Sequence, residues 1–293
     1  MPKQTQLGGA FTFPTTSLTV HRVGYGAMQL AGRHVFGPPN DRLEAIAVLR
    51  EAIASGVNHI DTSDFYGPHI TNQIIKEALH PYPEDLILVT KVGYRRGDDG
   101  SWIVDRSREN LLESVHNNLR NLGLDTLKVV NLRVGGPFGP EAGSIADPLK
   151  VLMELKEKGL ISHIGLSNVT PEQFAEAQTL TEIVCIQNFY NLANRGDDTF
   201  IDDLAKRSIA YVPYFPLGGF NQLQSSVMDT VADSLGISPM QVAQAWLLHR
   251  SPNILLIAGT SRRTHLQENL SVGKLRLPPE VIAELDTIGA AAK

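Results

Sequence analysis

The sequence predicts an α/β protein, a (β/α)8 TIM barrel preceded by an N-terminal β-hairpin. Apolar, strand-like runs alternate with helical patterns along the chain, and the alternation recurs eight times. Alternation implies parallel strands joined by right-handed crossovers, and eight units imply closure of the sheet on itself. The competing architecture, an open doubly wound sheet, would carry a glycine-rich turn after its first strand. The candidate Gly24-Tyr25-Gly26 lacks a third glycine and precedes the core of the strand. The 293 residues are 42% hydrophobic and 19% charged, without a low-complexity tract, so residues 1–293 are expected to form a single domain.

The elements follow in order. A turn-rich segment from Thr12 to Thr19 reads as the hairpin. Apolar runs then end near Ala27, Ile60, Thr90, Leu132, Gly165, Gln187, Val212 and Ile257. Helical periodicity fills the gaps over Asp41–Ser55 with Asp41 as cap, Ile70–Leu79, Ser107–Leu122, Pro148–Lys158, Pro171–Thr179, Thr199–Arg207 and Pro239–Leu248. Thr264–Leu270 follows the last strand, and an extra helix over Ser225–Leu235 fits between the seventh and eighth.

A net charge of −5 leaves no basic footprint for nucleic acid or an acidic membrane surface. The lone Cys185 cannot form an intramolecular disulfide and reads as a small buried hydrophobe. The start, Met1 to Gln6, is not followed by a long apolar segment, and no run approaches membrane-spanning length. A cytoplasmic protein, a monomer or weak oligomer with a small-molecule partner, is expected.

In a parallel barrel the chemistry sits at the carboxyl ends of the strands. The second strand runs into Asp61 and then Tyr66-Gly67, and the third ends in Thr90-Lys91. A phenol is a poor acid at neutral pH, with an ordinary pKa of about 10, and a nearby ammonium favours its phenolate. A carboxylate beyond the lysine keeps that ammonium charged and aimed, which makes Tyr66 a proton donor for a carbonyl oxygen. Singly, Asp61 reads as a helix cap, Tyr66 as loop packing and Lys91 as a solvated strand end. Their coincidence at neighbouring strand ends favours catalysis.

The fifth and sixth strand ends supply Ser167, Asn168 and Gln187, a hydroxyl and two amides suited to recognising a carboxamide in its plane. Tyr214, at the seventh, can stack on a flat heterocycle or serve as ordinary core. The eighth gives Gly259, Thr260, Ser261, Arg262 and Arg263, then His265, Glu268 and Asn269 at a helix start. Small residues, hydroxyls, arginines and a helix N-terminus together describe a phosphate site.

These residues resemble the aldo-keto reductases over nearly the whole chain. The motifs are Gly24-Tyr25-Gly26, Asp61 with Tyr66-Gly67, Thr90-Lys91, Gly165 to Asn168, Gln187-Asn188, Pro216-Leu217-Gly218 and Gly259-Thr260 with Glu268-Asn269. The resemblance implies a barrel that binds NADPH without a Rossmann domain and reduces a carbonyl substrate. It assigns Asp61, Tyr66 and Lys91 to a catalytic tetrad, and Ser167, Asn168 and Gln187 to the carboxamide. Tyr214 becomes the stacking aromatic, Leu217 part of the cofactor loop, and Thr260, Ser261, His265, Glu268 and Asn269 the adenosine-phosphate end, with Arg262 and Arg263 nearby.

The family usually has a histidine at the fourth strand end, where this chain has Arg133. An arginine, with a pKa of roughly 12.5 or more, cannot relay a proton, but it adds positive potential and can bind an anionic substituent. It can also simply pair with a neighbouring carboxylate. The stretch from Gly24 to Pro39, with Asn131-Leu132-Arg133, resembles a bacterial subgroup that includes pyridoxal reductases. Pyridoxal carries an ionisable phenol beside its aldehyde, which Arg133 could meet. A Schiff-base aldolase using Lys91 is disfavoured because Asp61 opposes an uncharged lysine. A nucleotide-sensing barrel with little turnover is the alternative from another class.

Overall fold

The computed structural model describes residues 7–136, 139–216 and 225–290. Its strands are β1 (Ala10–Thr12), β2 (Thr19–His21), β3 (Tyr25–Gly26), β4 (His59–Asp61), β5 (Ile87–Val92), β6 (Tyr94–Arg96), β7 (Trp102–Val104), β8 (Leu127–Arg133), β9 (Ile161–Ser167), β10 (Ile183–Gln187) and β11 (Ala210–Tyr211). Seven form one parallel sheet in the order β3-β4-β5-β8-β9-β10-β11. The eighth expected strand is not a regular ladder, yet it closes the ring. Ile254 bridges to Tyr211 on one edge and Leu256 to Val23 on the other, with Leu255 N–H donating to Tyr211 O at 2.9 Å and Gly24 N–H to Leu256 O at 2.9 Å. Closure brings backbone against backbone, and a Cβ on Gly26 would lie 2.2 Å from Ile257 O. The glycine at position 26 therefore serves this seam.

Side chains alternate along each strand, so parity decides which residues face the barrel axis. Ile87 and Val89 pack in the interior with Val129, while Leu88 and Ile60 belong to the layer between sheet and helices. Lys91 shares the parity of Ile87 and Val89, and Arg133 that of Val129. Asp61 shares the parity of His59. The antiparallel pair β1–β2 presents Phe13 and Val20 to the same interior cluster and stops the amino end of the barrel.

Helices α1 (Arg42–Ala54), α2 (Ile70–Leu79), α3 (Arg108–Leu122), α4 (Ala146–Glu157), α5 (Pro171–Gln178), α6 (Asp198–Lys206), α7 (Ser226–Leu235), α8 (Pro239–Arg250) and α9 (Arg263–Ser271) follow the expected segments within about two residues. Asp41 caps α1, accepting Glu44 N–H at 2.9 Å, and α5 and α8 begin with capping boxes at Thr170 and Ser238. Each such cap is worth about 1 kcal/mol. Besides short 3-10 turns at Ala27–Leu30, Arg33–Val35 and Val272–Lys274, the elements not anticipated from the sequence are the hairpin β6–β7, a separate two-stranded sheet, and α10 (Pro279–Ala290).

Candidate active site

The inward parity of β4 and β5 brings Asp61 and Lys91 together at the barrel mouth. Lys91 Nζ donates to Asp61 Oδ1 at 2.5 Å and to Thr62 O at 3.0 Å. The other carboxylate oxygen of Asp61 accepts Gln187 Nε2 at 2.9 Å. Burial opposes the charge on Lys91, but the Asp61 carboxylate and Tyr66 together hold the ammonium above the usual lysine range. Nζ lies 5.3 Å from the centroid of the Tyr66 ring, which is itself buried at the cleft. Asp61 caps no helix; the residue preceding α2 is His69, in the left-handed region.

Arg133 enters the same cleft from the end of β8. Its guanidinium carbon stands 4.7 Å from the Tyr94 ring and 5.6 Å from the Trp102 ring, both on the unanticipated hairpin. Its Nε is buried without a hydrogen-bond partner. No carboxylate pairs with Arg133 among the described residues, and no aspartate or glutamate occurs among the others. The hairpin is pinned by Arg96, which stacks 4.4 Å from the Phe65 ring and donates to Gly100 O at 2.5 Å and to Val35 O.

The residues expected to meet a carboxamide are grouped but already engaged. Asn168, at φ 56°, accepts from Tyr214 Oη at 2.5 Å and donates to the carbonyls of Gly135 and Gly136. Gln187 spends its amide N–H on Asp61 and keeps Oε1 for another partner. Ser167 is buried beside them in register with Gln187. Burial raises the Tyr214 phenol above its ordinary value, and its ring packs 5.0 Å from Phe215 and 5.8 Å from Phe189.

At the far end, Thr260 Oγ1 accepts Arg262 N–H at 3.0 Å, and Ser261, Arg262, Arg263, His265 and Glu268 are exposed around the start of α9. Arg263 is not free: Glu44 of α1 accepts both its main-chain N–H, at 3.1 Å, and its Nε, at 3.2 Å. Asn269 is buried and accepts from Gln244 Nε2 at 2.9 Å, while Gln244 Oε1 has no partner. Leu217 lies outside the described residues.

One cleft of about 270 Å³ joins part of this set, while Ser167, Asn168, Thr260 and the exposed residues at the start of α9 stand outside its lining. Asp61, Tyr66, Lys91, Arg133 and Trp102 line it at the barrel mouth, Gln187, Tyr214 and Phe215 along its side, and Gly259, Gln244 and Asn269 toward α9. Buried polar atoms without partners at two places, Arg133 Nε and Gln244 Oε1, are what a polar ligand would satisfy. The donor set therefore fits an extended ligand with a flat ring against Tyr214 and an anionic end at α9. Sequence reasoning missed Trp102 and Gln244. The Asp99-Gly100 turn could have revealed the hairpin that carries Trp102; Gln244 sits mid-helix with no distinguishing signal.

The aldo/keto reductase family description matches residues 22–290. Pyridoxine 4-dehydrogenase of Escherichia coli K12 is 63% identical over 279 residues, covering 94% of this chain and 98% of that protein. Among solved structures, a thermostable aldo-keto reductase in complex with the inhibitor epalrestat aligns with a TM-score of 0.79 at 27% identity, over 96% of this chain and 99% of that one. An aldo/keto reductase from Klebsiella pneumoniae, solved with NADP and acetate, shares the fold with a TM-score of 0.75 at 22% identity, over 95% of this chain and 94% of that one. Agreement of this extent, on a barrel with an aspartate–lysine pair buried beside a tyrosine at its mouth, means that the chain belongs to the aldo/keto reductase family.

Proposed function

We propose that this oxidoreductase reduces an aldehyde to an alcohol with NADPH, that Tyr66 donates the proton, and that pyridoxal is a substrate. The buried Asp61–Lys91 pair against the Tyr66 ring carries this reading. The name of the 63% identical relative, pyridoxine 4-dehydrogenase, supports the pyridoxine–pyridoxal pair. When bound, NADPH supplies the hydride that reaches the carbonyl carbon. Ser167, Asn168 and Gln187 would hold its carboxamide, Tyr214 its ring, and Leu217, Gly259, Thr260, Ser261, Arg262, Arg263, His265, Glu268 and Asn269 the remainder.

Tyr66 gives up its hydroxyl proton to the substrate oxygen. The Lys91 ammonium stabilises the phenolate left behind, and Asp61, held in turn by Gln187, keeps the ammonium in place. Arg133 offers an unpaired guanidinium to an anionic group beside the carbonyl, such as the phenolate of pyridoxal. We take the chain as one domain, working in the cytoplasm as a monomer or weak oligomer.

The test is a screen of NADPH oxidation at 340 nm across aldehydes, with pyridoxal included. Pyridoxal-dependent oxidation, lost in Tyr66→Phe, is expected. Tight NADPH binding without turnover on any aldehyde would instead favour a nucleotide-sensing barrel.

A further inference from the structure

Behind the Asp61–Lys91 pair, on the outward face of the same two strands, lies a polar cluster where apolar packing is the rule. Elsewhere the layer between these strands and their helices is built from side chains such as Ile60, Leu88, Ile74 and Leu111. At the last turn before the mouth, four side chains replace that pattern: Thr62, Thr90, Asn72 of α2 and Asn118 of α3, each at most 1% exposed. Thr62 Oγ1 donates to Asn72 Oδ1 at 2.8 Å, Asn72 Nδ2 donates to Asn118 Oδ1 at 2.9 Å, and Thr90 Oγ1 donates to the same Oδ1 at 2.5 Å. Asn118 Nδ2 is anchored on Ser114 O at 2.8 Å.

The two threonines are the residues that bracket the ion pair: Thr62 follows Asp61, and Thr90 precedes Lys91. Thr62 also contributes the main-chain carbonyl that accepts from Lys91 Nζ at 3.0 Å. We propose that Thr62, Asn72, Asn118 and Thr90 form a latch between barrel and helices that fixes the Lys91 ammonium against Tyr66, and that the four are positioning residues for proton transfer. The proposal rests on the reading of Tyr66 as proton donor. Its chemistry is simple: a buried hydroxyl–amide chain has one satisfied arrangement, so it sets the relative height of the two strand ends more sharply than interchangeable apolar contacts do.

Thr62→Val and Thr90→Val remove one hydroxyl each at nearly constant shape, and Thr62→Ser and Thr90→Ser keep it. Turnover of an aromatic aldehyde is measured across pH and expressed per NADPH-binding site, by fluorescence titration, so that misfolded protein does not count. The valine variants are expected to lose roughly tenfold in kcat, the scale of a small misplacement at a reacting centre. The alkaline limb of their pH profile should shift, NADPH affinity should hold, and the serine variants should recover most of the loss. Unchanged kcat and pH profile in the valine variants, with only a lower melting temperature, would overturn the latch. Should one variant fail to fold, the other probes the opposite end of the chain. Tyr66→Phe runs alongside: if it stays active, the proton-donor reading fails, and if it is inactive while both valine variants are normal, only the latch fails.

Discussion

The guanidinium of Arg133 stacks 4.7 Å from the Tyr94 ring and has no carboxylate to pair with among the described residues. A buried cation in that condition gains most from a substrate that brings its own anion. Arg133→Met is expected to lower kcat/KM for pyridoxal at least tenfold more than for a simple apolar aldehyde, in keeping with about 1.5–3 kcal/mol for a hydrogen bond to a charged group. Arg133→His should act in the same direction more weakly. Equal losses on both substrates would reduce Arg133 to a general electrostatic helper.

Replacing Tyr66 by Phe removes one hydroxyl and leaves the cleft wall in place. Turnover should drop by roughly 10²-fold or more, with NADPH affinity, followed by fluorescence titration, little changed. Lys91→Met should match it, because the charge 5.3 Å from the ring centroid disappears. Near-full activity in Tyr66→Phe would end the mechanism.

Cofactor choice turns on the start of α9. NADPH is expected to bind at least tenfold tighter than NADH, about 1.4 kcal/mol, and replacing Arg262 and Arg263 by Ala should erase much of the difference. Glu44 already occupies the main-chain N–H and side chain of Arg263. Glu44→Gln should therefore tighten NADPH several-fold while NADH changes little, since an anion no longer competes for the same donors. Titration of both cofactors against both variants checks the pair of claims.

Burial depresses the His59 imidazole from 6.5 to about 4. As pH falls, the unfolded chain protonates this residue near 6.5 and the folded barrel does so only near 4, so the unfolded state binds more protons between the two values. Stability should decline across that window, by about 3 kcal/mol in full. Urea denaturation of the protein and of His59→Gln at pH 7.5 and pH 5 should give a smaller pH-dependent loss in the variant.

The helices and the meeting of Asp61, Lys91 and Tyr66 were legible in the sequence because both follow from local rules: periodicity gives the helices, and strand parity at a carboxyl end gives Asp61 and Lys91 a common destination. The hairpin with Tyr94 and Trp102 stands outside the strand–helix repeat, so counting repeats passed over it. The contact of Glu44 with Arg263 joins residues 219 positions apart and has no sequence signature at all. Gln187 shows a third kind of gap: its place at the strand end follows from the sequence, but the partner of its N–H group, Asp61, is set by a contact across the barrel. The irregular eighth strand was foreseen in position and not in form, because closure by bridges depends on how near Gly26 and Ile257 come.

Among the described residues, the strands of segment 94–104 form a ladder only with each other, in a sheet separate from the one that bears Asp61 and Lys91. Rewriting it costs the barrel none of its ladder. The aromatic wall over Arg133 can therefore be exchanged while the strands that carry Asp61 and Lys91 keep their register.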